Sequence, residues 1–457
     1  MDRRCWDEEL ETAPWPEVIA WQAGRVADFV ADLRVRSDFH KDRVDSAARP
    51  SGGPQTLEFL ADLPFTTKDE LRRSQDEQSP GEPFGRHQAV PLSAIVQVVS
   101  SSGTTGQPLY YALTAADIET WRQVIAAVFF TAGIRADDVV AHLVGLPGVA
   151  GGLPYADGFR TIGATLAWLG GFPTERILHS IHRLQTTAVL STASFGTYLT
   201  DHCPELIGAP ASSLGVRKLL GGGEPGFGVP SIREKVKEGW GLTHVREVMG
   251  LADVLSAVWG ECDDEDGMHF CGQRAVAIEL IDPASAEQIP WEEGAEGEVV
   301  YTTFTREATP MLRYRSSDHV VVTGTGCACG RTSPKIRCVG RTDDMLIYKG
   351  MNVFPTAIRD VALAAAGDAV QPYLRIWKDR PEQVRFDEAI PVDIEASEAL
   401  AAERYPAMAK QIEAELRGRL QVRAVVSLVA PGTLPRSAYK TPLIHVRSNG
   451  GEPEVKQ

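Results

Sequence analysis

Three groups of residues in this 457-residue chain have the types and spacing that chemistry needs. The first is Ser101-Ser102-Gly103-Thr104-Thr105-Gly106, which follows the apolar run Ile95 to Val99 and precedes Gln107-Pro108. Such a run reads as a buried strand, so the hydroxyl- and glycine-rich residues fall in the turn after it. A turn of this kind aims backbone N–H groups and hydroxyls at one place, as a polyphosphate requires. It is not a Walker loop, because no lysine follows the glycines. The second group is a pair of strand ends carrying carboxylates, Gly221-Gly222-Gly223-Glu224-Pro225 and Met249-Gly250-Leu251-Ala252-Asp253. Ligands in open α/β sheets bind beyond the carboxyl ends of strands, so both are candidate walls of one site. The third group is soft. Cys327-Ala328-Cys329 is a tight chelating pair, and with Cys262 and His269 it would complete a tetrahedral structural zinc (Zn2+) site. Cys271 competes with His269 for the fourth place, and Cys5, Cys203 and Cys338 are spares.

The elements that must position these groups follow from periodicity. Val18, Ile19, Val26, Phe29, Val30 and Leu33 recur at helical spacing from Trp15 to about Val35. A second helix starts after Thr66 or Thr67, and Thr114 caps a third that runs through Trp121 and Phe130. From Val139 to Leu220 helices alternate with short apolar strands, among them Thr187 to Ser191 and Val216 to Leu220, which implies a parallel sheet flanked by helices. Beyond Gly260 the strands shorten (Ala275 to Ile281, Gly297 to Thr303, Val320 to Thr323), as in a small β-rich subdomain over about 260–340, with Asp318 at a turn before a strand. The polar break Gly340-Arg341-Thr342-Asp343-Asp344 divides the chain into a large domain, 1–342, and a smaller α+β domain, 343–457. In the latter a helix follows Pro355, a long helix spans Ser397 to Leu420, strands lie near Leu374 to Trp377 and Val422 to Val429, and a Pro/Gly-bounded loop carries Lys440. The fold class is α/β.

Composition narrows the function. Apolar residues make up 43% and charged residues 23%, ordinary values for a globular protein, and the length calls for more than one core. A formal net charge of -15 argues against a nucleic-acid face or an anionic membrane surface. Charged residues at the start of the chain, and the lack of any apolar run of about 18 residues, lead to the expectation of a cytoplasmic protein. An odd count of seven cysteines does not suggest a disulfide framework. The oligomeric state stays open, a homodimer included.

Taken together and in order, the stretches from Leu63 to Lys440 resemble the adenylate-forming superfamily of acyl-CoA synthetases, peptide-synthetase adenylation domains and luciferases, in its phenylacetate-CoA ligase branch. The resemblance identifies residues 101–106 with the phosphate loop and Gly222-Gly223-Glu224-Pro225 with the adenine-side turn. Tyr314-Arg315-Ser316-Ser317-Asp318 is similar to the motif whose aspartate holds the ribose hydroxyls. Arg341 and Asp343 fall in the hinge motif, with Asp343 as the hinge, and Gly350-Met351-Asn352-Val353-Phe354-Pro355 resembles the acceptor-side loop. Lys440 takes the place of the catalytic lysine brought in by the small domain. The spacing of Cys262, His269, Cys327 and Cys329 also resembles that of some members of this branch.

The resemblance implies a ligase that joins a small carboxylic acid, aryl or arylacetic, to CoA through an acyl-adenylate, using ATP and Mg2+ and releasing pyrophosphate. Its acid pocket is expected between Gly148–Tyr155, the Gly222 turn and Met249-Gly250, with Tyr155 as a wall. Several positions depart from the pattern: Met249 and Ala252 replace an aromatic residue and a hydroxyl, Asp253 a glutamate, Gln107 a lysine, and Tyr439 a glycine. These keep two alternatives in view, transfer to an amine or a carrier-protein thiol, and a nucleotide-binding homologue without turnover.

Overall fold

A computed structural model describes residues 4–46, 57–77, 79–101, 108–144, 148–224, 226–342, 344–349, 351–381, 383–434 and 442–447. Three helices come first: α1 (Glu8–Thr12), α2 (Trp15–Arg36) and α3 (Asp38–Ser46). The predicted stripe of α2 buries Val26, Phe29, Val30 and Leu33 against Leu60, Leu63, Phe304 and Leu312. α4 (Lys68–Asp76) starts at Thr67, whose hydroxyl accepts the Glu70 N–H while the Glu70 carboxylate accepts that of Thr67. Such a reciprocal cap satisfies two otherwise orphaned donors.

β1 (Gln97–Ser100) and β2 (Tyr110–Leu113) pair antiparallel as a separate two-stranded sheet. This corrects the expected buried strand over Ile95 to Val99. Val99 is buried, but Val96 and Val98 are exposed, because the alternation of a pleated strand turns them to the other face. α5 (Ala115–Thr131) is capped by Thr114 and Asp117 as α4 is by Thr67 and Glu70. Then β3 (Val139–His142), α6 (Leu153–Ile162), β4 (Thr165–Trp168), α7 (Thr174–Arg183), β5 (Ala188–Ser191), α8 (Ala193–Ile207), β6 (Lys218–Gly221), α9 (Pro230–Trp240) and β7 (His244–Leu251) alternate along the chain. Their strands pair in parallel in the order β4-β3-β5-β6-β7.

The region after Gly260 forms no sheet of its own. β7 pairs antiparallel with β8 (Leu255–Glu261), and the same sheet continues through β9 (Met268–Phe270), β10 (Ala277–Ile281), β11 (Gln288–Ile289), β12 (Glu296–Thr302), β13 (Tyr314–Gly324) and β14 (Lys335–Arg341) to twelve strands. The short apolar runs were legible as strands, but β7 joins the parallel and antiparallel halves edge to edge. Asp318 is also corrected: it lies inside β13, just after Ser317, whose φ is +63°. The register between β12 and β13 shifts at this point, so the turn seen in the sequence is a bulge within a strand.

After Arg341 the chain enters smaller sheets: β15 (Leu346–Tyr348), β16 (Met351–Val353), β17 (Val370–Lys378), β18 (Arg385–Phe386), β19 (Ile390–Ala396), β20 (Ala424–Val429) and β21 (Ile444–Val446). α10 (Pro355–Ala366) begins where expected, but α11 spans Tyr405–Leu420 and is shorter than the predicted Ser397 to Leu420. Pro406 suits only a first turn, which sets the later start. One apolar cluster runs from the α7–α9 face of the large sheet into this lobe, and Lys235 Nζ donates to Gln371 Oε1 at 3.1 Å across the junction. Among the described residues no helix is long and apolar enough to cross a membrane.

α5 backs the cleft described below. Its Phe129 is fully buried, stacks on Phe159 with centroids 4.2 Å apart, and meets the Tyr155 ring edge-on at 5.2 Å. Phe129→Ala is expected to destabilise the large lobe by about 3–5 kcal/mol, read by urea unfolding; a loss under about 1 kcal/mol would show that the site collapses without a cavity.

Candidate active site

The carboxyl ends of β6 and β7 open onto a cleft of about 190 Å³. Its lining includes Ser101, Tyr155, Gly222, Gly223, Glu224, Met249, Gly250, Asp253, Asp318 and Arg341. Every predicted nucleotide- or acid-side residue within the described residues therefore faces one space. Ser102 to Gly106, Pro225, Asp343 and Lys440 lie outside the described residues.

Ser101, the first residue of the predicted phosphate loop, is tied to Leu109: its N–H donates to the Leu109 carbonyl at 2.9 Å and its Oγ accepts the Leu109 N–H at 3.1 Å. Glu224 turns to protein, not to the cleft alone, accepting the Ser194 N–H at 2.7 Å at the start of α8. The Tyr155 hydroxyl donates to the Ser256 carbonyl at 2.7 Å, which fixes its ring as a wall. Gly250 is required by close approach, since a Cβ there would lie 2.3 Å from the Ser256 carbonyl oxygen. Asp318 and Arg341 are register partners on β13 and β14, and Arg341 Nη1 donates to Asp318 Oδ1 at 3.3 Å.

Asp253 is the most heavily tied of these groups. Its Oδ1 accepts from the hydroxyls of Tyr111 and Tyr314, the latter at 2.8 Å, and lies 3.8 Å from Lys68 Nζ. Its backbone carbonyl accepts from Arg306 at 2.6 Å. Burial pushes the carboxyl up, but the Lys68 ammonium and the two hydroxyls outweigh it and hold the group below the usual aspartate value. Lys68 also lines the cleft. It places a cation in the same lining as Ser100 and Ser101. The sequence reading missed Lys68, Tyr111 and the Tyr314 hydroxyl. Lys68 follows a helix cap and reads as an ordinary first-turn residue, and no local signal ties it to Asp253.

A second constellation sits at the ends of β8 and β9, in the middle of the sheet. One ligand atom each from Cys262, His269, Cys327 and Cys329 lies within 4.8 Å of all the others. Cys262 Sγ and Cys327 Sγ are 3.6 Å apart, and Cys329 Sγ is 3.5 Å from His269 Nε2. A tetrahedral zinc with thiolate bonds of about 2.3 Å has edges of about 3.7 Å, so the four atoms fit that ion. Without a cation the thiols compete for charge. The hydrogen bond from Cys262 holds Cys329 far below the usual thiol range, while that same contact and burial push Cys262 up. Cys271 stays apart: its Sγ reaches Thr131 Oγ1 at 3.6 Å in the large core. The N-terminal segment clasps this knuckle, through Arg4 to the Ala328 carbonyl at 2.9 Å and a buried Glu11–Arg331 pair at 2.7 Å.

Fold and site together define an AMP-forming acid–thiol ligase of the adenylate-forming class. The whole chain superposes on 2-hydroxyisobutyryl-CoA ligase in its postadenylation state with a TM-score of 0.86 and 25% identity, over 98% of this chain and 93% of that one. Against the same enzyme in its thioesterification state, the TM-score is 0.69 at 26% identity, over 97% and 93% of the two chains. Residues 350–445 match the AMP-binding enzyme C-terminal domain. The phenylacetate-coenzyme A ligase of Thermus thermophilus is 32% identical over 450 residues, 94% of this chain and 97% of its own length. That of Escherichia coli is 27% identical over 95% of both. The chain belongs to the phenylacetate-CoA ligase family.

Because the folded Asp253 carboxyl is held down, its stabilising contribution is present above the ordinary aspartate range and is lost as pH falls through its lowered value. Lys68→Met removes the largest lowering influence and is expected to move the acid-side loss of thermal stability to higher pH. Melting temperatures between about pH 3 and 7 check this, and coincident profiles would refute it.

Proposed function

We propose that this protein activates a small aryl or arylacetic acid with ATP as the acyl-adenylate and passes the acyl group to CoA. The observation that supports this best is convergence. Ser101, the Gly222 turn, Asp253, Asp318 and Arg341 come from separate parts of the chain and line one cleft at strand ends. At its acyl end the lining is apolar, with Val144, Ala150, Tyr155, Val248 and Met249, which suits a flat hydrocarbon ring. The named activity of the Thermus thermophilus and Escherichia coli relatives points the same way.

In this reading the substrate carboxylate attacks the α-phosphorus of ATP and pyrophosphate departs. Negative charge grows on the phosphoryl oxygens, and fixed cations and N–H donors stabilise it. Residues 101–106 cradle the phosphates, Gly222 to Pro225 flank the adenine, and Asp318 accepts from the ribose hydroxyls with Arg341 beside it. Lys440 is the cation delivered by the small domain. The loop leading to it is tethered, since the Gly432 and Leu434 N–H groups donate to buried Glu395 at 2.9 and 3.0 Å. The thiolate of CoA then attacks the acyl carbonyl and AMP leaves, after the domain 343–457 turns about Asp343. The lower TM-score against the thioesterification state is in keeping with such a turn.

Asp253 can offer Mg2+ its second carboxylate oxygen, with nucleotide phosphates supplying further ligands, as is common for this ion. Cys262, His269, Cys327 and Cys329 would hold one structural Zn2+, which supplies a cross-link between β8, β9 and the 327–329 turn. We place the enzyme in the cytoplasm, where both nucleotide substrates are available.

ATP–pyrophosphate exchange dependent on phenylacetate or a related acid tests the reading, with thioester formation on adding CoA. Lys440→Ala is expected to lower exchange by about 10²–10³-fold with the melting temperature unchanged. Exchange with no acid of an aryl, arylacetic and short-chain panel would refute it. The purified protein is expected to carry one zinc per chain by elemental analysis, and Cys329→Ser to lose it.

A further inference from the structure

Gly222 to Gly228 is a turn with four glycines, and something outside it must hold its shape. At its start Glu224 is tied to Ser194. At its end both ties come from one carboxylate. Glu247 is buried on β7 opposite Gly221 of β6, and its Oε1 accepts the N–H of Gly226 at 3.3 Å and that of Gly228 at 3.1 Å. Neither glycine has room for a side chain: a Cβ on Gly226 would meet Ala193 Cβ at 2.3 Å, and one on Gly228 would meet Glu247 Oε2 at 3.0 Å. Glu247 also lines the cleft beside Gly223 and Glu224.

A buried carboxylate needs a counter-charge. Arg337 supplies it from β14, with Nη1 3.5 Å from Glu247 Oε2 and Nη2 2.9 Å from Glu261 Oε1. Arg233 takes Glu261 with one Nη2 at 2.9 and 2.8 Å from its two oxygens. Two carboxylates are thus balanced by two guanidinium groups beneath the turn. Burial and the neighbouring Glu261 carboxylate push the Glu247 carboxyl up, and Arg337 and the two glycine N–H groups oppose them.

We infer that Glu247 is a positioning residue for nucleotide binding. Through the bonds from its Oε1 to the Gly226 and Gly228 N–H groups, with Arg337 behind it, it sets the backbone at the end of the turn at the spacing the adenine ring needs. The inference rests on the proposed function in taking that turn as the adenine wall. It assigns the carboxylate an effect on ATP affinity and none on the acid pocket.

The test compares Glu247→Ala, Glu247→Gln and Glu265→Gln with the wild type. Glu265 bonds Arg246 and reaches Arg233 at 3.4 Å in the same ion cluster, but has no contact with the turn. ATP affinity is read by calorimetry, and KM for ATP, KM for the acid and kcat by pyrophosphate exchange. Glu247→Ala is expected to weaken ATP binding and raise its KM by about tenfold, through loss of the two hydrogen bonds that hold the turn. KM for the acid and kcat should change by less than about threefold. Glu247→Gln keeps one acceptor oxygen for the two N–H groups and should recover part of the loss. Glu265→Gln should lower the melting temperature without changing ATP affinity. If Glu247→Ala does not fold, a Gln variant with wild-type ATP affinity overturns the inference. So does parallel loss of ATP affinity in Glu265→Gln, which would mark general loosening. A wild type that binds ATP while all variants bind it equally removes this inference alone. A wild type that binds no ATP removes the proposed function with it.

Discussion

One buried carboxylate joins the pieces that the active cleft is made from. Asp253 draws the Tyr111 hydroxyl from β2, the Tyr314 hydroxyl from β13 and the Lys68 ammonium from α4 to a single oxygen, and Arg306 reaches its backbone carbonyl. These groups lie on elements far apart in sequence. The β1–β2 pair forms a sheet separate from the twelve-stranded one, so the tyrosine contact is one of the ties that set where this pair sits against the cleft. An unpaired carboxylate at this depth would be strongly unfavourable, and each donor lowers that cost only in this arrangement. The knot therefore favours the geometry that brings Ser101 and Asp318 to the same cleft.

The same logic recurs around the site. Arg313 pairs with Glu279 at 2.8 Å and also donates to the Leu63 carbonyl at 2.6 Å, and Arg315 holds Glu298 opposite the bulge that carries Asp318. Each places a charge where a hydrophobic side chain would pack more cheaply. What they share is position: they lie along β12, β13 and neighbouring segments where the backbone departs from regular pairing. Ser316 Oγ, donating to the Val299 carbonyl at 2.6 Å and accepting the Asp318 N–H at 3.0 Å, completes the bulge. Side chains there do the work that a regular ladder does elsewhere.

How much of this was legible depended on range. The starts of α4, read as Thr66 or Thr67, and of α5, read as Thr114, were legible because a cap needs only residues three positions apart. The parallel half of the sheet was legible from its alternation with helices. Cys262, His269, Cys327 and Cys329 were legible as a group because soft ligands are few and five of the seven thiols fall between residues 260 and 340. Lys68 and Glu247 were not. Lys68 finds Asp253 across the whole large lobe, and Glu247 sits in a strand where its partners, Gly226, Gly228 and Arg337, come from a turn and a distant strand. The Ile95 to Val99 run misled for a related reason: apolar content does not tell which face is covered. Nor does it tell that β8 to β14 extend the parallel sheet, since edge-to-edge joining at β7 leaves no local mark.

The way the chain leaves the large sheet limits how the lobes can move. Arg341 is the last residue of β14 and is bound to Asp318, and the Thr342 N–H donates to the Ser317 carbonyl at 2.7 Å. Leu346 is already in β15, and the Ile347 N–H donates to the Val384 carbonyl at 2.7 Å. Both flanks are thus fixed to their own lobes. A rotation that kept these bonds would have to be absorbed by the few residues between Thr342 and Leu346. Because Thr342 is bonded to the bulge that holds Asp318, the start of this link is fixed beside the cleft. In the function proposed above, a turn of the small lobe would exchange one of its loops for another at the cleft while Asp318 and Arg341, which belong to the large sheet, stayed in place.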